Sequence, residues 1–216
     1  MMSLAEVWPP YGVRVTEGDL LLSVIADEDI PGLVHLALSG IHPPEQMPFS
    51  TPWTDDVRAD LPANNYRHYS RLRADCRPEA FTLAFAVRVQ GRLVGVQSLT
   101  AQDFALTRTG ETGSWLAMAH QGRGIGTRMR RAICAFAFDA LEATELTSAA
   151  FLDNPASLAV SRKVGYRPNG TVRLKRRDNE VAINQKLVLT PDTFVRGAAV
   201  VVEGGAPLRT FLGLGP

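Results

Sequence analysis

Gln121-Gly122-Arg123-Gly124-Ile125-Gly126 stands between a strand-like segment and the most regular amphipathic stretch of the chain. From Gly126 onward Met129, Ala132, Ile133, Phe136, Ala137, Ala140 and Leu141 recur at i, i+3, i+4 and i+7. Arg128, Arg130, Arg131 and Asp139 fall opposite them, so the spacing predicts a helix whose polar face carries the arginines. At a strand-to-helix junction the first N–H groups of the helix lack intrahelical partners, and the positive end of the helix dipole adds to them, which makes an anion site. The glycines remove Cβ atoms, so a diphosphate can approach the main chain and accept several N–H bonds, with the Thr127 hydroxyl as a further donor. Spacing excludes two other phosphate motifs. A P-loop needs Lys and then Ser/Thr after its last glycine, whereas Thr127 and Arg128 follow Gly126; a dinucleotide fingerprint would need glycine at 127 or 129, where Thr127 and Met129 stand. The same glycines would also serve a tight connection that holds no ligand.

Upstream, Glu111 to Met118 is predicted as the strand entering the turn, after a polar loop containing Gly110. Phe81, Leu83, Phe85, Val87 and Val89 alternate with Thr82, Ala84, Ala86 and Arg88, the period of a strand; Gln90-Gly91 turns the chain, and Arg92 to Leu99 returns as its antiparallel partner. Leu20 to Ile25 makes a further strand, after which Asp27 caps a helix to about Leu38 with Pro31 in its first turn. Pro43, Pro44, Pro48 and Pro52 preclude regular structure until Thr54 caps a helical segment running to about Cys76, interrupted at Pro62. Downstream, Leu146 to Phe151 is a strand, and a short helix from Pro155 to Lys163 follows with Asp153 or Asn154 as cap and Gly165 as stop. Tyr166 onward and Val181 to Leu189 close the sheet as a hairpin turning near Asp178-Asn179.

These segments alternate as in a mixed α/β domain, and 216 residues with 45% hydrophobic and 21% charged side chains fit one core. The net charge of +1 provides no field of one sign to recruit nucleic acid or an anionic membrane. Cys76 and Cys134 form no CxxC, and His35, His42, His68 and His120 form no HxH or HExxH, so no metal and no disulfide scaffold is expected. Met1 to Pro10 lacks the basic and apolar regions of a signal peptide, and no window approaches the roughly 18 apolar residues of a membrane span, so a cytoplasmic location is expected.

The stretch from Glu111 to Tyr166 resembles the GNAT N-acetyltransferase family, whose acyl-CoA signature Q/R-x-x-G-x-G/A is matched by Gln121, Gly124 and Gly126. It is similar to the ribosomal-protein alanine acetyltransferase branch through Glu111-Thr-Gly-Ser-Trp-Leu116, Asn154-Pro-Ala-Ser157 and Lys163-Val-Gly-Tyr166. A closer likeness, through Met47-Pro-Phe-Ser-Thr-Pro-Trp53 and Gly95-Val-Gln-Ser-Leu99, is to an actinobacterial GNAT group with succinyl-CoA-using members. The resemblance implies an α/β (α+β) GNAT fold: a mixed, mostly antiparallel twisted sheet flanked by helices, splayed between its fourth and fifth strands. It implies acetyl-CoA or succinyl-CoA as donor and a small-molecule or protein amine as acceptor, with no nucleic acid or membrane partner. Residues 1–190 would form the acyltransferase domain, and the Gly-rich extension 191–216 would pack on a partner subunit, as in a homodimer, or simply extend the domain.

By the same resemblance, pantetheine lies between the splayed strands and bonds to the main chain of Leu116, Ala117 and Met118, while Gln121, Gly122, Arg123, Gly124, Ile125, Gly126 and Thr127 grip the pyrophosphate. An amine with a pKa of about 10.4 needs a base at neutral pH. Glu111 stands where this branch often carries that carboxylate, and desolvation would raise its pKa, though a solvated strand-end glutamate reads the same. The N–H of Leu116 or Met118 resembles the family's oxyanion donor. Many members carry a tyrosine donor where this chain has Ser161, leaving Ser157 and Asn154 to meet the departing thiolate or merely to cap a helix. Cys134 reads as a packing residue, and Arg173, Lys175, Arg176 and Arg177 as a solvated basic loop or a contact for an acidic group. Phe49 and Trp53 either wall a pocket or anchor their loop. A catalytically silent acyl-CoA sensor would keep the turn and be indifferent to Glu111 and Ser157.

Overall fold

The computed structural model describes residues 1–55 and 58–215. Among these residues nine strands form one sheet: β1 (Arg14–Glu17), β2 (Leu20–Val24), β3 (Ala80–Val89), β4 (Arg92–Gln102), β5 (Thr109–Leu116), β6 (Glu145–Phe151), β7 (Arg167–Arg177), β8 (Glu180–Leu189) and β9 (Val201–Glu203). Their order across the sheet is β7-β8-β6-β5-β4-β3-β2-β1-β9, and every pairing is antiparallel except β5 with β6. The helices are α1 (Leu4–Val7), α2 (Ile30–Ser39), α3 (Leu61–Ala74), α4 (Phe104–Thr107), α5 (Ile125–Ala135), α6 (Pro155–Val164) and α7 (Gly205–Phe211).

Alternation in β3 sends Phe81, Leu83, Phe85 and Val87 toward α5, where Phe85 meets Phe136 edge-on at 5.9 Å between ring centres. Ala84 and Ala86 face the opposite side and pack with Ile30 and Leu33 of α2 and Tyr69 of α3. Both faces of the central strands are therefore covered. The amphipathic stretch beginning at the glycine turn is α-helical only to Ala135, and Phe136–Ala140 continues as a π-helical turn.

The splayed pair is the fourth and fifth of the strands read from sequence, but here β5 and β6, because Arg14–Glu17 adds a strand in front. That strand is four residues long, too short for its alternation to stand out. Asp27 does not cap α2: a 3-10 turn occupies Asp27–Asp29, and Asp29 stands at the N-cap, its carboxylate accepting the Ala26 N–H at 3.0 Å. Pro62 starts α3 rather than interrupting a helix, since a first-turn proline has no N–H to satisfy. Of the helical segment expected from Thr54, Asp56 and Val57 lie outside the described residues. Gly110 belongs to β5, and the polar loop expected around it is instead α4.

The chain after β8 returns to the sheet. Val195 N–H bonds to Val164 O at 2.9 Å, and a Cβ on Gly165 (φ +104°) would lie 1.9 Å from Thr193 O, so only glycine admits this crossing. The short β9 then pairs with β1, and Leu208, Leu212 and Leu214 enter the main core while Phe211 packs on Trp8. At the other margin, β7 carries register shifts between Pro168 and Thr171 and between Lys175 and Arg177.

Leu208 is fully buried, so Leu208→Ala should lower unfolding free energy by about 2–5 kcal/mol, read from the guanidinium midpoint. A loss below about 0.5 kcal/mol would show that the C-terminal segment does not belong to the cooperative core.

Candidate active site

β5 and β6 pair through Thr109↔Glu145, Gly110↔Leu146 and Glu111↔Thr147 only. Beyond that, β5 stays with β4 as far as Leu116↔Gly95 and β6 stays with β8 as far as Phe151↔Asn184, so the two strands part. Side chains replace the ladder as the gap widens. Ser148 Oγ donates to Thr112 O at 2.9 Å, and the Arg130 guanidinium then bridges the two arms, Nη1 to Ser148 Oγ at 3.0 Å and Nη2 to Ser114 Oγ at 2.9 Å. Arg130, expected on the polar face of its helix, is only 4% exposed. The reason is the gap itself: an arm on the sheet-facing side of α5 can reach in and satisfy hydroxyls on both strands.

Above this wedge the opening carries free donors. Ala117 N–H donates to Val94 O at 3.1 Å across β4, so by antiparallel alternation the N–H of Leu116 points the other way, toward β6. Met118 N–H, the other expected oxyanion donor, donates instead to Gly40 O at 3.0 Å and is engaged. Gln121 braces the floor of the turn: its Nε2 donates to Ile41 O at 2.7 Å and Leu116 O at 2.8 Å, and its main-chain N–H goes to Met118 O. Its contribution is therefore to hold the turn, since its donors are all committed. Among the described residues, the N–H groups of Gly122, Arg123, Gly124, Ile125 and Gly126 have no protein acceptor. Gly122 and Gly124 have φ +73° and +78°, left-handed values that direct successive N–H groups to one side at the head of α5.

The opening belongs to a cleft of ≈ 1270 Å³ that takes in Leu116, Gln121, Gly122, Gly124, Gly126 and Thr127. Glu111, Asn154 and Ser157 line the same cleft, whereas Ala117 and Ile125 are buried outside its lining and Met118 and Arg123 are exposed outside it. Asn154 caps α6, its Oδ1 accepting Ser157 N–H at 3.1 Å. The Ser157 hydroxyl has no protein partner among the described residues and remains available. Glu111 is exposed on the face opposite Thr112.

Behind the wedge, Tyr166 Oη sits 2.6 Å from Thr112 Oγ1 and 3.5 Å from Cys134 Sγ. Burial is the first cause that raises the Tyr166 phenol well above its ordinary value and the Cys134 thiol to about 11. Neither is placed to ionise near neutrality, and Cys134 packs in the core. Ser161 is also buried, with its hydroxyl unpartnered.

The basic run, expected as a solvated loop or a contact for an acidic group, lies on β7, with Arg173 and Lys175 exposed and Arg176 and Arg177 holding the cleft's rim. Arg176 is buried, bonds Asp153 and Glu180, and covers the Phe151 ring; Arg177 ties Asp55 at 2.6 Å and Pro44 O at 2.9 Å. Phe49, Trp53 and Trp115 form a chain of rings at 5.3 and 6.0 Å that lines the cleft and anchors the Pro-rich loop. Helix α3 contributes Asn65, His68 and Tyr69 to the lining, which the sequence reading passed over. Leu61, Asn65, Tyr69 and Leu72 mark its buried stripe and are the signal that could have found it. His68, although partly open to solvent, is flanked closely enough that desolvation, then the Arg71 charge, lowers its pKa from the ordinary value. Among the described residues no group of three or more His, Cys, Asp or Glu could hold a metal, and no helix is long and apolar enough to cross a membrane.

Among the described residues the sheet thus opens between its only parallel strands, with bare amides at the head of the following helix. Residues 19–167 match the acetyltransferase (GNAT) domain, and the chain belongs to that family. It is similar to YdaF of Bacillus subtilis (strain 168), provisionally named a ribosomal N-acetyltransferase, with 34% identity over 83 residues, 38% of this chain; the match spans 45% of that protein. In fold it is similar to Mycobacterium smegmatis RimJ in complex with CoA-disulfide, with TM-score 0.68, 20% identity, and 92% of each chain covered. A RimL ribosomal alpha-N-protein acetyltransferase in complex with coenzyme A gives TM-score 0.67 at 17% identity, covering 82% of this chain and 97% of the other.

Two outcomes follow from these contacts. Gln121→Leu strands the Leu116 and Ile41 carbonyls and should cost about 1–3 kcal/mol in chemical denaturation; a change indistinguishable from zero would mean the brace is idle. With Cys76 and Cys134 both pushed up to about 11 by burial, the native protein should react with a thiol reagent at pH 8 orders of magnitude more slowly than after unfolding, and prompt labelling would contradict the burial.

Proposed function

We propose that this chain is an N-acyltransferase that moves an acyl group from a coenzyme A thioester to a primary amine by direct attack. The observation that carries the reading is one continuous cleft lined by Gly122, Gly124 and Gly126, whose amides are unpaired, and by Leu116 with its inward N–H. The first set suits a diphosphate, and the second, at the mouth of the parted strands, suits a thioester carbonyl whose oxygen becomes negative as the amine adds. Thr127 adds a hydroxyl at the first turn of α5.

Glu111 accepts the proton lost by the attacking amine, directly or through a water. As the C–N bond forms and the C–S bond breaks, electrons leave with sulfur and coenzyme A departs as thiolate, to which Ser157 donates a hydrogen bond. The exposed cleft then supplies the proton from solvent. Acetyl-CoA is the donor favoured by the family's description, and succinyl-CoA is the contender that the resemblance of Met47 to Trp53 and Gly95 to Leu99 implies. The acceptor is a protein or small-molecule amine met in the cytoplasm; the names of RimL and YdaF support a ribosomal-protein amine. Residues 1–190 make up the acyltransferase domain, with 191–216 as its extension.

Mass spectrometry of free coenzyme A release, with acetyl-CoA and succinyl-CoA against a panel of amines, should show amine-dependent turnover. Tight uptake of coenzyme A without turnover from any donor would leave a silent sensor in its place. Glu111→Gln should lower kcat at pH 7 by about 10²-fold, with partial recovery at higher pH as the amine loses its own proton. An unchanged pH–rate profile would remove Glu111 as base.

A further inference from the structure

Arg130 presents an unmet demand. Of the five N–H bonds of a guanidinium, one from Nη1 and one from Nη2 are taken, both by neutral serine hydroxyls, and Nε is buried with no partner at all. Among the described residues no carboxylate pairs with this arginine, whereas Arg88, Arg128 and Arg176 each have at least one. Its other neighbours are the Tyr166 ring, 5.9 Å from the guanidinium carbon, and the Cys134 thiol, both held neutral by burial. A cation that is 4% exposed and lines the cleft without a counter-ion is a site prepared for an anion supplied from outside the chain.

The position along the strands indicates which part of a ligand that is. With the thioester carbonyl on the Leu116 N–H, the sulfur and pantetheine lie on the side of the glycine turn, and the acyl chain continues toward the closed end where Glu111 pairs with Thr147. Ser114, and with it Arg130, stands two residues further in, about 7 Å along the strand. A departing thiolate is on the wrong side to use this charge, while the far end of a short acyl chain comes level with it. The planar fork of a guanidinium matches the two oxygens of a carboxylate better than a single diffuse sulfur.

We propose that Arg130 selects the donor, taking the terminal carboxylate of an acyl group derived from a short dicarboxylic acid. This rests on the acyltransferase reading above and narrows its substrate. Ser114 and Ser148 fix the guanidinium between the arms, and the incoming carboxylate completes its coordination.

The test compares succinyl-CoA with butyryl-CoA, which has the same number of acyl carbons and no charge, by calorimetry without acceptor and by kcat/KM with one. The wild type should bind succinyl-CoA at least about tenfold more tightly than butyryl-CoA, and Arg130→Met should remove that preference, the loss falling on succinyl-CoA far more than on butyryl-CoA. Arg130→Lys, which keeps the charge but loses the fork, should retain only part of it. Equal binding of the two donors by the wild type overturns the assignment without recourse to any variant. So does an equal fall for both donors in Arg130→Met, which would make Arg130 a brace between strands and nothing more. In either case amine-dependent turnover would leave the acyltransferase reading standing, whereas failure to bind coenzyme A itself would sink both.

Discussion

The parting of β5 from β6 is the constraint around which the rest of the molecule is arranged. A parallel pair that stops after Glu111↔Thr147 abandons main-chain donors and acceptors on two inner margins, and buried amides cannot be left without partners at no cost. The chain meets this in steps as the distance grows. Main chain bonds main chain first, then the Ser148 hydroxyl reaches Thr112 O, then the longer arm of Arg130 spans from Ser148 to Ser114. Past that point the Leu116 N–H faces the open cleft.

Holding the gap at a fixed width requires each arm to be anchored from outside. β5 is fastened to β4 as far as Leu116, and Gln121 clamps the Leu116 carbonyl from below. β6 is fastened to β8 through six registered pairs, and Arg176 ties the β7–β8 hairpin to Asp153 just past its end. The use of arginine as the wedge has an electrostatic cost. Removing a guanidinium from water without a counter-charge costs on the order of several kcal/mol, which two serine hydroxyls offset only in part.

The glycine turn and the helix after it were legible because both signals are local: glycines at every second position need no tertiary partner to be recognised, and an eleven-residue helix displays its period. The β3–β4 hairpin was legible for the same reason, with Gln90 and Gly91 both at positive φ between alternating strands. β1 was missed because four residues carry too little alternation, and α4 because one helical turn between left-handed residues Asp103 and Arg108 has no period at all. Within the site, Leu116 and the turn could be named from the resemblance, but not that Met118 N–H is already spent on Gly40. Arg130 was misread for a physical reason: helical phase puts a charge on the polar face by default, and only the gap between two distant strands makes the buried direction tolerable.

The same sheet also governs what the molecule avoids. Of its two free margins, β9 offers three residues of edge before α7 turns away, and β7 is interrupted by two register shifts, lacks an N–H at Pro168 and carries Arg173, Lys175 and Arg177. An incoming strand would find at one side too little length and at the other a broken, cationic border. A sheet that stays open in its middle is thus blunted at both ends against growing into a fibre, and the bare inner edges of β5 and β6 lie inside the cleft rather than on the outer border.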